Sequence, residues 1–290
     1  MNNKICIVTG ASSGIGQQIA LALHQQGAYV IMIDIVSPYE TIAAMVSIGP
    51  KRFEAHLADL SSQRDVLRVA TTLCQAHPVI DVLVNNAGRH IVERETSVDG
   101  YEMNFALNSL GSSTFTLRML ESLKRATSAR IINIASEAHR FPGRYNFEDI
   151  NTEQESMLYA YGKSKFAVIL FSKALARELE NTSITVNAVC PGLVSTQIFS
   201  NFLPPWLARL FMSITFLGLM STAKQGASLP IQLCCDDRYE EVTGKFFGSH
   251  SVLQYLAEHK KTNCRHSQEA LFDFFHDVIN LPSVRMNHEK

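Results

Sequence analysis

The stretch that decides the fold spans residues 4–34 and reads KICIVTGASSGIGQQIALALHQQGAYVIMID. An apolar run over residues 5–8 leads into three glycines, and a segment with apolar residues at helical spacing follows. A second apolar run, over residues 29–33, has the continuous apolar character of a strand buried on both faces. The stretch therefore predicts a strand, a glycine turn, a helix and a second strand.

The glycine turn predicts a site for a phosphate-bearing ligand. Glycine has no Cβ, so the backbone can turn sharply and a diphosphate can approach it closely. The amide groups and the dipole at the start of the following helix favour an anion. We expect the residues of this turn to bind the diphosphate of a dinucleotide: Gly10, Ser12, Ser13, Gly14, Ile15 and Gly16.

Acidic residues end the second and third predicted strands. Asp34 lies about 20 residues beyond the glycines, where a dinucleotide-binding unit places a carboxylate that bonds the adenosine ribose hydroxyls. The alternative for Asp34 is a solvated acid at a strand end. Asp59, with Leu60 beside it, follows the run at residues 52–57 and can meet the adenine amino group. A role in capping the next helix is the alternative for Asp59 and is compatible with the first.

The rest of the chain alternates strand and helix signals. Further strands are predicted at residues 52–57, 80–84, 130–135, 183–189 and 245–247, and helices at 62–76, 100–124, 159–179 and 222–234. This order is typical of an α/β fold. We expect a single domain of the Rossmann type, a doubly wound parallel sheet of about seven strands with helices on both faces.

Composition excludes several classes of function. The net charge of −1 leaves no basic surface for nucleic acid. The six cysteines are scattered, as reduced thiols in a cytoplasmic protein are. An apolar strand begins within a few residues of Met1, so we expect no signal peptide or N-terminal anchor. The apolar segment 202–220 is interrupted by Pro204, Pro205 and Arg209 and is too short to span a membrane.

Tyr161 and Lys165 are candidates for proton transfer. Passing a hydride between an alcohol carbon and a nicotinamide requires a base for the hydroxyl proton. Lys165 lies one helical turn beyond Tyr161, on the same face. An ammonium about 4 Å away at an effective dielectric of about 20 supplies about 4 kcal/mol, enough to bring the pKa of a phenol from about 10 to about 7. Tyr159 and Lys163 repeat the pattern and are the alternative pair.

Several short segments, in chain order, resemble the motifs of the short-chain dehydrogenase/reductase family. They are residues 9–16, Asn85-Asn86-Ala87-Gly88, Asn108, Ser136, Tyr161-Gly162-Lys163-Ser164-Lys165 and Pro191-Gly192. Residues 133–139, 147–150, 161–180 and 185–196 resemble its retinol dehydrogenase-like branch. The resemblance covers about residues 3–248, so we expect a catalytic domain over 1–248 and a C-terminal extension over 249–290.

The resemblance implies a catalytic set of Asn108, Ser136, Tyr161 and Lys165. Ser136 would hold the substrate oxygen, and Asn108 would anchor a water that links Lys165 to solvent. Ser164 precedes Lys165 as in the Tyr-x-x-Ser-Lys form of the family, which favours Tyr161 over Tyr159. Tyr159 and Lys163 are then expected at the surface beside the site.

The resemblance also implies the remaining cofactor contacts. Lys165 would bind the nicotinamide ribose together with Tyr161. The ribose would pass close over the small residues after the fourth strand, and the nicotinamide carboxamide would be held after the sixth. These residues are Asn86, Ala87, Gly88, Pro191, Gly192, Val194 and Thr196.

Charge favours NAD over NADP. A 2′-phosphate beside Asp34 would be repelled by at least about 1 kcal/mol per charge even in a watery dielectric. No Lys or Arg lies between Asp34 and Lys51 to offset this, and Ser13 stands where phosphate-binding relatives often carry a basic residue. This preference departs from the retinol dehydrogenase-like branch, in which NADP is usual.

The substrate and the partners are less closely defined. The apolar, aromatic segment 193–220, the flap, predicts a pocket for a lipophilic alcohol or carbonyl compound, with core packing as the alternative, and also predicts peripheral membrane contact. We expect a homodimer or homotetramer built on the helices that carry Asn108 and Tyr161. His259, Cys264 and His266 fit no metal template, so no metal is expected.

Two alternative functions use the same sequence features. A dinucleotide-binding sensor or scaffold of the same fold would bind the cofactor without turnover, although such proteins typically lose part of the catalytic set. A sugar-nucleotide epimerase or dehydratase also uses Tyr and Lys, but its glycine spacing and longer substrate domain are absent here.

Overall fold

The computed structural model describes residues 1–143, 150–151, 153, 155–192, 222–248 and 258–280. These residues form a seven-stranded sheet in the order β3-β2-β1-β4-β5-β6-β7, in which every neighbouring pair is parallel. The strands are β1 (Ile5–Thr9), β2 (Tyr29–Asp34), β3 (Phe53–Leu57), β4 (Val82–Asn85), β5 (Ala129–Ile134), β6 (Ile184–Val189) and β7 (Phe246–Phe247). The predicted fold class is confirmed.

Helices cover both faces of the sheet. They are α1 (Gly14–Gln25), α2 (Tyr39–Ile48), α3 (Gln63–Ala76), α4 (Met103–Phe105), α5 (Ser112–Lys124), α6 (Met157–Glu178), α7 (Ala223–Cys235) and α8 (Arg265–Asn280). Along β1, Cys6 and Val8 pack into one apolar cluster and Ile7 into the other, as the alternation of side chains along a strand requires. Both faces of β1 are therefore buried.

The strand order places the glycine turn at the centre of one sheet edge. β1 pairs with β2 on one side and with β4 on the other, so the chain reverses its direction of travel across the sheet at β1. Ligands of doubly wound folds bind at the carboxyl ends of the strands beside such a reversal. Gly10 and Gly14, which follow β1, have φ of +65° and +59°, the left-handed region that favours glycine.

Two segments differ from the sequence expectation. The stretch between β2 and β3, for which no element was predicted, contains α2, which buries Thr41 and Met45. The helix predicted over 100–124 begins at Met103 instead and is interrupted by a π-helical segment, Ala106–Gly111. The carboxylate of Glu102 accepts hydrogen bonds from the Asn104 and Phe105 amides, which fixes this later start.

The described part of the C-terminal extension packs on α5 and α6. Leu271 and Phe275 of α8 are completely buried in the cluster that also contains Phe171 of α6. The ring of Phe275 meets that of Phe171 edge-on at 5.5 Å. None of the helices in the described ranges is long and apolar enough to cross a membrane.

The π-helical segment requires a glycine at its last position. A Cβ on Gly111 would lie 1.8 Å from the carbonyl oxygen of Leu60. We expect Gly111→Ala to lower the free energy of unfolding by at least about 2 kcal/mol, because backbone atoms must move to relieve the overlap.

Gly49→Ala is the matched control for this substitution. Gly49 has extended backbone, and a Cβ there would meet no atom within 4 Å, so we expect a change within about 0.5 kcal/mol. Urea denaturation of both variants is the measurement. Equal stability of the two would contradict the close approach of Gly111 to Leu60.

Candidate active site

The glycine turn and the turn after β4 are tied together by one hydroxyl. Thr9 Oγ1 accepts hydrogen bonds from the Asn86 and Ala87 amides, both at 2.9 Å. In return, Asn86 Nδ2 donates to the carbonyl oxygens of Thr9 and Gly10 at 2.9 and 3.0 Å. The two strand ends that flank the reversal of the chain therefore form one rigid unit.

The three glycines of the turn serve different purposes. A Cβ on Gly10 would lie 2.8 Å from Cα of Ala87, and one on Gly16 would lie 2.1 Å from the carbonyl oxygen of Gly10. Both glycines are thus required by contacts within the protein. At Gly14 a Cβ would meet nothing within 4 Å, and the preceding Ser13 makes no side-chain cap to α1. The start of α1 is therefore open, as a site for a diphosphate needs to be.

Asp34 is held beside this opening. Its Oδ2 accepts a hydrogen bond of 2.8 Å from the Ser12 amide. Thr41 of α2 donates to the carbonyl oxygen of Ala11 at 2.8 Å, which fixes the same loop from the other side. A carboxylate so placed fits a ribose with free hydroxyl groups, and the glycine loop and Asp34 together fit an adenine dinucleotide.

The predicted residues at the end of β3 adopt a turn. Asp59 Oδ1 accepts hydrogen bonds from the amide and the hydroxyl of Ser61, at 2.9 and 2.7 Å. The cap of α3 is Ser62, whose Oγ accepts from the Asp65 amide. Leu60 is buried, with its carbonyl oxygen against Gly111. Asp59 thus stabilises the turn before the helix, and contact with adenine stays a prediction.

Ser136 and Tyr161 meet at the carboxyl end of β5. Ser136 has extended backbone, and its Oγ accepts a hydrogen bond of 3.2 Å from the Ala138 amide. Its hydroxyl also hydrogen-bonds to the phenol of Tyr161. Lys165, one turn further along α6, donates from Nζ to the carbonyl oxygen of Ile134 at 3.0 Å. A hydroxyl, a phenol and an ammonium are therefore gathered at one strand end.

Asn108 joins the turn after β4 to α6. Its Oδ1 accepts from the Arg89 amide at 2.9 Å, while Nδ2 donates to the Arg89 carbonyl oxygen and to Ser164 Oγ, each at 3.0 Å. A Cβ on Gly88 would lie 2.6 Å from Asn108 Oδ1 and 3.1 Å from Lys165 Nζ. Asn108, Gly88 and Lys165 are therefore brought together.

In the alternative pair, Tyr159 is exposed and Lys163 is buried. Tyr159 is 44% exposed, whereas Tyr161 is 6% exposed. The expectation of a surface position for Lys163 is wrong, because this side chain is 1% exposed. Both the turn Glu137–Arg140 and α8 pack against α6, so this helix is buried on more sides than a typical surface helix.

Burial controls the ionisation of the catalytic pair. It raises the pKa of Tyr161 to about 12, although the hydrogen bond from Ser136 acts in the opposite direction. It lowers the pKa of Lys165 to about 8. The expected phenol with a pKa near 7 is not found, because burial removes water from around the phenolate and so favours the neutral phenol. At neutral pH the pair is a neutral phenol beside an ammonium.

Part of the predicted site lies outside the described residues. Pro191 and Gly192 follow β6 at the same sheet edge, and Gly192 has φ of +87°. Val194, Thr196 and the flap fall outside the described ranges. Among the residues within them, no group of three or more His, Cys, Asp or Glu side chains is arranged to hold a metal.

Sequence reasoning missed several residues at the site. The His90 ring lies edge-on against that of Tyr161 at 4.9 Å, and burial lowers its pKa, so it is neutral. The Cys190 thiol is buried near Tyr161 and Lys165, and burial raises its pKa. His139 bonds to the main chain of Ser136. Position next to a motif residue is the signal that could have found Cys190. His139 ends the segment 133–139, which resembles the retinol dehydrogenase-like branch, whereas no pattern marks His90.

The profile of the family described as short chain dehydrogenase matches residues 4–205. This chain belongs to the short-chain dehydrogenase family. Within the family it is retinol dehydrogenase-like: it is 36% identical to retinol dehydrogenase 14 of Mus musculus over 262 residues, which is 86% of this chain and 78% of that one. Membership indicates oxidoreduction of alcohols with a nicotinamide dinucleotide.

Solved structures of other short-chain dehydrogenases and related proteins share the fold. The Pseudomonas aeruginosa RhlG/NADP active-site complex is 29% identical, with a TM-score of 0.69, and the match covers 86% of this chain and 95% of that one. An uncharacterised protein from Mycobacterium paratuberculosis is 25% identical, with a TM-score of 0.75 and coverage of 96% and 94%.

The ionisation of the pair predicts a pH profile. Tyr161 keeps its proton up to about pH 12, whereas Lys165 loses its charge above about pH 8. If Tyr161 donates a proton to the substrate, the ammonium would stabilise the phenolate that remains. We therefore expect kcat/KM for carbonyl reduction to be level between about pH 6 and about pH 7 and to fall above about pH 8.

Lys165→Arg is the check on this assignment. A guanidinium stays protonated throughout the range, so the fall near pH 8 should disappear in the variant, whatever its residual rate. Steady-state kinetics at several pH values would measure both profiles. A wild-type profile that stays level to about pH 9.5 would contradict the lowered pKa of Lys165.

Proposed function

We propose that the protein interconverts a lipophilic alcohol and its aldehyde or ketone, with NAD preferred over NADP and with Tyr161 as the acid/base. The observation that carries this is the meeting of Ser136, Tyr161 and Lys165 at the sheet edge where Asp34 and the open start of α1 lie. The cofactor half and the proton-transfer half of a dehydrogenase site thus share one edge.

Each residue has a distinct part in the proposed reaction. A bound nicotinamide would supply or accept the hydride. The Ser136 hydroxyl would hold the substrate oxygen, and Tyr161 would give that oxygen a proton during reduction or take it during oxidation. The Lys165 ammonium would stabilise the resulting phenolate, and Asn108 would anchor the water through which the proton is replaced.

The assignment of a lipophilic substrate has two supports. The relatives named retinol dehydrogenase are named for an apolar alcohol. The first turn of α6, which precedes Tyr161, exposes Leu158 and Tyr159 at 43% and 44%, and Phe141, which follows the turn after Ser136, is 57% exposed. Exposed apolar side chains so near Tyr161 in the chain suit a substrate with little polar surface.

We keep a cytoplasmic location and a homodimer or homotetramer as proposals. The helices expected to meet a second copy, α5 and α6, are both in contact with α8, so a partner on that side would have to pack beside α8. We also keep the proposal that the flap, residues 193–220, contacts membranes. The flap lies outside the described ranges.

The duplicated motif provides a matched pair of variants for the central assignment. We expect Tyr161→Phe to lower kcat by about 10²- to 10⁴-fold, because it removes the proton donor. Tyr159→Phe removes the same atom one half-turn away and should leave kcat within about twofold. NAD(P)H-linked absorbance with a panel of apolar aldehydes and alcohols, including retinal, is the assay.

The binding of the cofactor should be unchanged in Tyr159→Phe, and it should weaken by no more than about tenfold in Tyr161→Phe, which loses one hydrogen bond to the nicotinamide ribose. Loss of activity in Tyr159→Phe alone would reverse the assignment. Tight NADH binding by the wild type without turnover of any panel member would instead favour the dinucleotide-binding sensor.

Removing the charge of Asp34 tests the choice of cofactor. We expect Asp34→Asn to weaken NADH binding about tenfold or more, through loss of charge-assisted bonds to the ribose. Binding of NADPH should tighten about fivefold or more, because a repulsion of at least about 1 kcal/mol is removed. The amide oxygen can still accept from the Ser12 amide, so the loop should keep its shape.

Glu40→Gln makes the same change of charge in the first turn of α2. This control should alter both affinities by less than about twofold. Fluorescence titration with the two reduced cofactors gives the comparison. A wild-type protein that binds NADPH more tightly than NADH would show the charge argument at Asp34 to be wrong.

A further inference from the structure

His139 lies directly behind Ser136. It belongs to the single turn Glu137–Arg140 and is completely buried. Its Nδ1 lies 2.6 Å from the carbonyl oxygen of Ser136, and its Nε2 accepts a hydrogen bond of 3.4 Å from the amide of His259. The imidazole therefore connects Ser136 to the C-terminal extension.

These two partners determine the protonation state of His139. A carbonyl oxygen can only accept a hydrogen bond, so Nδ1 must carry the hydrogen. An amide can only donate, so Nε2 must present its lone pair to His259. The neutral Nδ1–H tautomer satisfies both partners, whereas an imidazolium would direct two donors at each other.

The charged groups around the ring are already paired. Glu137 and Arg140, in the same turn, form a salt bridge of 2.6 Å. Glu258, from the extension, is paired with Lys173 of α6 at 2.5 Å. Burial lowers the pKa of His139, with Arg140 acting in the same direction and Glu137 and Glu258 against it. The ring is accordingly neutral at physiological pH.

His139 constrains the main chain of Ser136 while leaving its hydroxyl to face Tyr161. The Ser136 carbonyl oxygen accepts from both the amide and Nδ1 of His139, at 3.1 and 2.6 Å. The Ser136 hydroxyl lies on the other side, with the Ala138 amide and the phenol. A shift of the carbonyl would therefore move the hydroxyl relative to Tyr161.

The far side of the imidazole is fixed to α6, which also carries Tyr161. Lys173 donates to Glu258 and to Asn263 Oδ1, at 2.5 and 2.6 Å. The Thr262 hydroxyl donates to the carbonyl oxygen of His259 at 2.7 Å, and the His259 ring meets Phe166 edge-on. The amide that binds His139 is thus held in place by the tail segment, residues 258–263.

We propose that His139 is a positioning residue through which the tail segment sets the place of Ser136 relative to Tyr161. The imidazole contacts the main chain of Ser136 on one side and the His259 amide on the other. The His259 ring in turn packs against Phe166 of α6, the helix that carries Tyr161. The inference rests on the proposed function, in which Ser136 holds the substrate oxygen.

Three substitutions of His139 separate its two bonds. Asn places an amide nitrogen near the position of Nδ1, Gln places an amide oxygen near that of Nε2, and Phe offers neither. We expect His139→Asn to keep kcat within about threefold and both His139→Gln and His139→Phe to lose at least about tenfold, because small displacements of a reacting group are costly. NADH affinity should stay within about twofold in all three.

A purely structural role would give a different order. If kcat followed the melting temperature, or if Asn and Phe lost activity equally, the positioning role would be overturned.

The contribution of the tail segment is tested by Lys173→Met, alone and with His139→Phe. We expect about a threefold to tenfold loss of kcat for the single variant and no further loss in the double variant. If Lys173→Met lowered kcat by the same factor in the wild type and in His139→Phe, the coupling between the tail segment and His139 would be overturned.

A readout independent of turnover distinguishes this inference from the proposed function. The ¹⁵N chemical shifts of the His139 ring in the full-length protein report its tautomer. We expect the neutral Nδ1–H form at pH 7, whether or not the protein turns over any alcohol. An Nε2–H tautomer or an imidazolium would overturn the inference even if Tyr161 proved essential for catalysis, and this arm does not require any variant to fold.

Discussion

The burial of α6 is the constraint on which the site depends. This helix holds Tyr161 and Lys165 out of water, and the fall of the lysine pKa from 10.5 to about 8 corresponds to a cost of about 3 kcal/mol for the ammonium. The cost is fully present below about pH 8 and is relieved as the pH rises toward the unfolded value. The hydrogen bond from Lys165 Nζ to the carbonyl oxygen of Ile134 offsets part of this cost.

The same burial keeps Tyr161 protonated. With a pKa of about 12 the side chain is a neutral phenol at neutral pH, which is the form that the proposed reduction requires. The groups proposed for proton transfer come from different parts of the chain: Ser136 from the turn after β5, Lys165 from α6 and Asn108 from the π-helical segment. Thr9 then locks the cofactor side of the edge to the turn after β4.

The sequence was sufficient where the signal is local. Apolar runs and glycines predicted the sheet and its binding edge, and the motif residues predicted which side chains gather there. The sequence was insufficient for features that depend on tertiary contacts. The later start at Met103 depends on the Glu102 carboxylate, and the burial of Lys163 depends on the elements packed around α6. The pKa of Tyr161 was misjudged because pair spacing gives the attraction of the ammonium but not the loss of water. His139 ends the family-like segment 133–139, but its second partner lies 120 residues away, which no local pattern indicates.

Direct hydride transfer is the central claim, and isotope transfer tests it most directly. The protein would be incubated with NADH deuterated at the nicotinamide C4 position and with an apolar aldehyde such as retinal, and the product alcohol analysed by mass spectrometry. Transfer from one of the two C4 faces should place a single deuterium on the carbinol carbon. NADH would be labelled on one C4 face or on the other in separate incubations. Alcohol formed without deuterium in both incubations would contradict the proposed function, as would tight NADH binding without alcohol from any apolar aldehyde.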